Sequence, residues 1–131
     1  MFRRVRVAVA LGLIVGAAAC TSPTSPTVKA PFTTEDLRLG TGDAAAATGN
    51  TLMVNYTGWL YDDTKTDKKG NQFDASKPGQ PFVFKLGVAQ VIQGWDQGLV
   101  GLKVGGLRKL TVPSEMAYGR VGVGSSIPPN A

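Results

Sequence analysis

Six aromatic residues, Tyr56, Phe73, Phe82, Phe84, Trp95 and Tyr118, fall within about a hundred residues of a 131-residue chain, too many for one small face of a domain this size. Together they could line a concave apolar site with few polar groups, the usual character of a small-ligand pocket. Other chemistries are excluded by what is missing. The chain has no histidine, which rules out Ser-His-Asp and Cys-His catalysis and histidine metal ligation. Its one cysteine is Cys20, so no disulfide closes within the chain and no cysteine nucleophile sits in the folded part. The glycine-rich run from Gly98 to Gly106 has neither Walker nor dinucleotide spacing.

The elements that must position these rings follow from periodicity. Val91, Ile92, Trp95 and Leu99 lie at i, i+1, i+4 and i+8, one face of a short helix. Gly94 and Gly98 fall inside that pattern, each at a cost of about 1 kcal/mol against alanine, which suggests close approach by another element. On periodicity alone Trp95 is core, pocket floor, or both. Thr51 to Tyr61 reads as the best strand, with Leu52, Val54, Tyr56 and Leu60 alternating with Met53, Asn55, Thr57 and Trp59. Gly58 marks a candidate bulge, and Trp59 points away from Tyr56 as a half-exposed strand residue. Further strands are expected at Asp36–Leu39, Gln72–Ser76, Phe82–Gly87 and Leu107–Pro113. Phe82, Phe84 and Leu86 share one face. Asp62 to Asn71 mixes charges without apolar residues and reads as a solvated loop; Ser114 to Gly119 reads as a turn or helical corner. The order of elements makes the domain α+β, a few antiparallel strands with one short helix.

The amino terminus reads as an address. Arg3, Arg4 and Arg6 precede an apolar run, Val7 to Ala19, of 13 residues, about two-thirds of a bilayer span. Residues 1–19 are expected to be a signal peptide. The small residues before Cys20 resemble a bacterial lipobox, although Ala17 stands where leucine is commonest; a plain signal peptide ending at a cysteine is the alternative. An acylated Cys20 would tether the domain to a membrane face, as an extracytoplasmic lipoprotein of a bacterial cell envelope. The rest of residues 20–31 is a Ser/Thr/Pro linker, and residues 32–131 form the folded domain. Formal net charge is +5; without the three early arginines, 11 Lys and Arg face 9 Asp and Glu, a net of +2. That is no footprint for nucleic acid.

Taken in order, Val54-Asn55-Tyr56-Thr57-Gly58-Trp59-Leu60, Phe73-Asp74-Ala75-Ser76, Pro81-Phe82-Val83-Phe84, Val91-Ile92-Gln93-Gly94-Trp95, Leu110-Thr111-Val112-Pro113, Ala117-Tyr118-Gly119 and Ile127-Pro128-Pro129 resemble the FKBP-type peptidyl-prolyl cis–trans isomerases. The likeness runs from about Asp36 to Ala131. It implies an antiparallel five-stranded sheet wrapped around one short helix, with the pocket between them. It implies that Trp95 is the floor beneath a proline ring, with Tyr56, Phe73, Phe82, Val91, Ile92, Tyr118 and Ile127 as walls. Ile92 would offer its backbone N–H and Tyr118 its hydroxyl, while Asp74, otherwise a turn residue after a strand, would orient Tyr56. Partners would be proline-containing polypeptides, with an FK506-like macrolide as a further ligand; no cofactor or metal is required.

Two departures from the family pattern matter. The bend after Phe73-Asp74 reads Lys77-Pro78-Gly79-Gln80 and holds no arginine to pair with Asp74, and Gln90 stands where the family often has Glu. The family also continues past the Pro-Pro motif into a last central strand, so the expectation is a domain truncated at its C-terminus, with the strands holding Tyr56 and Leu110 deprived of a shared neighbour. Besides an active isomerase, a proline-segment binding or chaperone module with little turnover and an inactive truncated product remain open readings of the sequence. Cys20→Ala is expected to abolish membrane association in a fractionated cell; a wild-type protein found wholly in the soluble fraction would refute the lipid anchor.

Overall fold

The computed structural model describes residues 29–131. The expected signal peptide, Cys20 and nearly all of the linker lie outside these residues. Six strands, one α-helix and one 3-10 turn follow in the order β1 (Thr33–Arg38), β2 (Thr51–Val54), β3 (Thr57–Tyr61), β4 (Lys69–Ala75), β5 (Phe82–Lys85), α1 (Gln93–Gly98), β6 (Leu107–Thr111) and η1 (Ser114–Met116). All pairing is antiparallel and nested. β3 pairs with β4, β2 with β5, and β1 with β6.

These three ladders are separate two-stranded sheets, which differs from the single five-stranded sheet wrapped around the helix that the family resemblance implies. Among the described residues no strand hydrogen-bonds across from one ladder to another. The long strand expected over Thr51 to Tyr61 is two strands for a related reason: at Asn55 and Tyr56 the chain leaves β5 and begins to pair with β4. Tyr56 holds this junction through its backbone. Its N–H donates to Ser76 Oγ at 3.0 Å and its carbonyl accepts the Ser76 N–H at 3.0 Å. β4 begins at Lys69, inside the stretch expected to be loop, because hairpin pairing runs through backbone groups whatever the polarity of the side chains. Trp59 is half-exposed, as its strand position suggests, and carries Lys69 Nζ 4.3 Å above its ring.

Alternation builds the core. In the β2–β5 ladder Leu52 faces Phe84 and Val54 faces Phe82, with Met53 and Val83 exposed on the other side. Phe84, Leu86 and Leu99 are buried, and Leu52, Val54, Val91, Trp95, Leu102 and Leu110 pack against them. The helix is shorter than its apolar face: Ile92 is its N-cap and Val91 precedes it. It lies on β6 and the residues just past it through its two glycines. A Cβ on Gly98 would come within 2.8 Å of Leu110 Cδ2, and one on Gly94 would collide with the Val112 side chain. The close approach suggested by those glycines is therefore made against this segment. Arg108 on β6 locks the arrangement. Its guanidinium takes Asp36 of β1 with both carboxylate oxygens (2.6 and 3.1 Å), and its Nη1 donates to the carbonyls of Gly98 (2.9 Å) and Val100 (2.8 Å) at the carboxyl end of α1.

Gly94→Ala should lower stability by about 1–3 kcal/mol, the range for overpacking, although alanine is the better helix former by about 1 kcal/mol. A thermal midpoint equal to or above wild type would show that α1 does not depend on contact with Val112.

Candidate functional site

The junction between β2 and β3 delivers Tyr56 to a ring cluster. Its centroid lies 5.2 Å from Trp95 and 6.0 Å from Phe82, both edge-on. Phe82 is 6.1 Å from Trp95 and 5.5 Å from Phe84. Phe84 completes the group at 5.5 Å from Trp95. Such offset and edge-to-face arrangements suit the ring quadrupoles. Trp95 thus has aromatic neighbours from β5 and from the β2–β3 junction, while its position on α1 also packs it against the core. Of the readings that periodicity left open, the core one is met by these contacts.

Phe73 arrives by a bulge. Gly58 pairs with Asp74 and Trp59 with Gln72, so Phe73 is the extra residue on β4. Its ring covers Gly58, where a Cβ would stand 2.7 Å from Phe73 Cζ. Its other neighbour is Tyr118, at 6.5 Å and edge-on. Between these two aromatic groups lies Asp74. Tyr56 donates its hydroxyl to Asp74 Oδ2 at 2.5 Å, and the Ala75 N–H donates to Oδ1 at 2.9 Å. The hydrogen bond to Asp74, then loss of water and the nearby carboxylate charge, push the Tyr56 phenol up to about 12. Burial chiefly, and the Asp74 charge after it, also raise the Tyr118 phenol above its ordinary value. The ion pairs among the described residues join Lys29 to Glu115 and Arg108 to Asp36, and neither includes Asp74. The absence of an arginine in the bend that follows Asp74, Lys77 to Gln80, fits that geometry.

Tyr118 follows the η1 corner, where Ser114 accepts the N–H groups of Ala117 (3.0 Å) and Gly119 (2.8 Å). Gly119 O in turn accepts the Asn130 N–H at 2.8 Å, closing the final loop back onto the corner. Ile127 is buried within that loop and exchanges backbone hydrogen bonds with Val123. Ala30 is buried and Lys29 pairs with Glu115 of η1, so the described chain begins beside this corner. Ile92 accepts the N–H groups of Trp95 (2.9 Å) and Asp96 (3.2 Å), whereas its own N–H meets no acceptor among the described residues. Val91, just before it, packs on the core cluster.

Sequence reasoning assigned no role to Ser76 and did not single out Asp96, both of which bind backbone around the site. A cavity of about 670 Å³ lies apart from the rings, lined by Leu60, Tyr61, Asp62, Asp63, Lys65, Lys69, Gly70 and Asn71. Its mixed-charge walls in the β3–β4 hairpin lack the apolar character of a proline site, and the ring cluster is the better candidate. Among the described residues no cluster of three or more His, Cys, Asp or Glu side chains is placed to hold a metal.

The chain is similar to known proteins in sequence and in fold. The family model described as FKBP-type peptidyl-prolyl cis-trans isomerase matches residues 42–131, more than half of the chain. An FK506-binding protein of Neisseria meningitidis serogroup B is 50% identical over 98 residues, covering 74% of this chain and 83% of that protein. FK506-binding protein 4 of Emericella nidulans is 47% identical over 97 residues, which is 74% of this chain but 18% of that longer protein. Among solved structures, the crystal structure of AtFKBP13 superposes with a TM-score of 0.62 at 33% identity, over 76% of this chain and 82% of that one. With a matching family model, a relative at half identity and a shared fold, the chain belongs to the FKBP-type peptidyl-prolyl cis-trans isomerases.

Proposed function

We propose that the ring cluster around Trp95 receives the proline ring of X-Pro segments in extracytoplasmic polypeptides, and that the enzyme is held at a membrane through Cys20. The observation that carries the site assignment is the grouping of Tyr56, Phe82 and Phe84 around Trp95, with Asp74 bonded to the Tyr56 hydroxyl. Phe73, Val91 and Ile127 serve as further walls. The address rests on the amino-terminal sequence alone.

The chemistry asks little of the side chains beyond shape and fixed dipoles. Rotation about a peptide bond is opposed by amide resonance, a barrier of ~18–20 kcal/mol. An apolar enclosure disfavours the charge-separated planar form and so favours the twisted amide. In this reading the Ile92 N–H binds the substrate carbonyl, and the Tyr118 hydroxyl a second acceptor on the flanking peptide; the lack of a partner for the Ile92 N–H among the described residues supports it. Asp74 keeps the Tyr56 ring in one orientation. An FK506-like macrolide, by the names of the relatives, is a ligand of the same surface.

Tyr118→Phe and Asp74→Ala should each slow isomerisation of an X-Pro peptide, lowering kcat/KM by about three- to tenfold, the worth of one hydrogen bond. Peptide affinity should stay within about twofold. Wild-type protein that binds the peptide without turning it over would favour the chaperone reading instead. The pH profile offers a second check. Both site phenols have folded pKa values raised above the usual tyrosine value, that of Tyr56 to about 12. Their neutral donor forms, and the stability linked to them, are therefore fully present below about pH 10 and lost as pH rises through the folded values. With no histidine in the chain, kcat/KM should be flat from about pH 6 to about pH 9 and fall only above about pH 10. A transition near neutrality would mean that another group controls the site.

A further inference from the structure

The backbone between β5 and α1 is held by two side chains that the reaction does not obviously need. Asp96, in the first turn of α1, accepts the Gly87 N–H on Oδ1 at 2.8 Å and the Ala89 N–H on Oδ2 at 3.0 Å. Its own backbone N–H donates to Ile92 O at 3.2 Å. From the other side, Gln90 Oε1 accepts the Lys85 N–H at 2.8 Å. Gly87 and Ala89 both sit at positive φ, +78° and +60°. Glycine enters that region freely, but alanine does so only when its surroundings hold it there. No turn-forming residue occupies position 89 to do this locally. The carboxylate of Asp96 is the group that does it.

A first-turn acid is ordinarily read as complementing the helix dipole. Here both carboxylate oxygens are committed to a segment outside the helix. One residue therefore grips the chain on each side of Val91: Gly87 and Ala89 before it, and the Ile92 carbonyl after it. The Val91–Ile92 peptide, which carries the Ile92 N–H, lies between those two fixed points.

We propose that Asp96 is a positioning residue of the isomerase site, fixing the Gly87–Gln90 turn so that Val91 and the Ile92 N–H are presented to the substrate in one orientation. This rests on the reading that the Ile92 N–H receives the substrate carbonyl. It assigns to Asp96 a role in ordering the site before substrate arrives, which lowers the ordering cost of binding.

The test is Asp96→Asn, which keeps the shape but turns one acceptor into a donor facing a backbone N–H, with Asp96→Glu as the variant that restores both acceptors. Asp96→Asn should raise KM for an X-Pro peptide about tenfold with kcat changed less than about twofold. Amide exchange of Gly87 and Ala89 should quicken about tenfold or more, while the amides of Trp95 and Leu99 within the helix turn stay as slow as in wild type. Asp96→Glu should recover KM to within about threefold of wild type. An unchanged KM, or an acceleration of all amides together, would overturn the proposal. The two readings part at the Ile92 amide resonance of wild-type protein. If it shifts on peptide binding while Asp96→Asn leaves KM unchanged, the role of Asp96 alone fails. If it does not respond to peptide, the assignment of Ile92 fails first.

Discussion

Close contact between α1 and the β6 segment is the constraint on which the rest depends. A helix of six residues cannot hold itself together in water. It exists because Gly94 and Gly98 remove two side chains from the face turned to Val112 and Leu110, and because Arg108 satisfies carbonyls at its far end. Any side chain on that face would lift the helix away from β6. Trp95 would move with it, and its contacts with Tyr56, Phe82 and Phe84 are measured from that position. The position of the Trp95 ring is thus set by what two glycines leave out.

Around that ring the candidate site is assembled from elements that do not pair with one another. Phe82 and Phe84 come from the β2–β5 ladder, Phe73 and Asp74 from the β3–β4 ladder, Tyr118 from the corner after β6. The contact between Asp74 and the Tyr56 hydroxyl is the polar link between two of these groups. It also explains why one carboxylate can influence two phenols: it is bonded to Tyr56 and its charge reaches Tyr118. A polar atom at the seam of two apolar groups fixes their relative rotation.

Much of this was legible because it is periodic. The Phe82, Phe84, Leu86 alternation puts Phe84 and Leu86 in the core, and the misplaced-looking glycines of α1 do mark a close approach. The rest follows rules that leave little trace in a sequence. β4 starts among lysines and asparagine because hairpin pairing uses backbone groups. The break at Tyr56 is a change of partner, which no local propensity encodes. Ser76 and Asp96 act through bonds to backbone elsewhere in the chain, and their residue types fit many exposed positions equally well; Gln90, which the family pattern marks as touching backbone, does bond the Lys85 N–H. The left-handed turn at Ala89 is the least readable of all, since alanine carries no signal for it.

The nested order of the ladders has a meaning for how the chain finds this shape. The β3–β4 hairpin spans a short loop; once it is closed, the ends of β2 and β5 are already near each other, and once these pair, β1 and β6 are brought within reach. Loop-closure entropy grows only slowly with length, but each inner closure shortens the free chain left to the next. The pairing of Asp36 with Arg108, between residues far apart in sequence, is therefore cheapest as the last step rather than the first. The same ion pair that ties three elements together in the finished fold thus belongs to the outermost closure, the one whose free loop is shortened most by the pairings nested inside it.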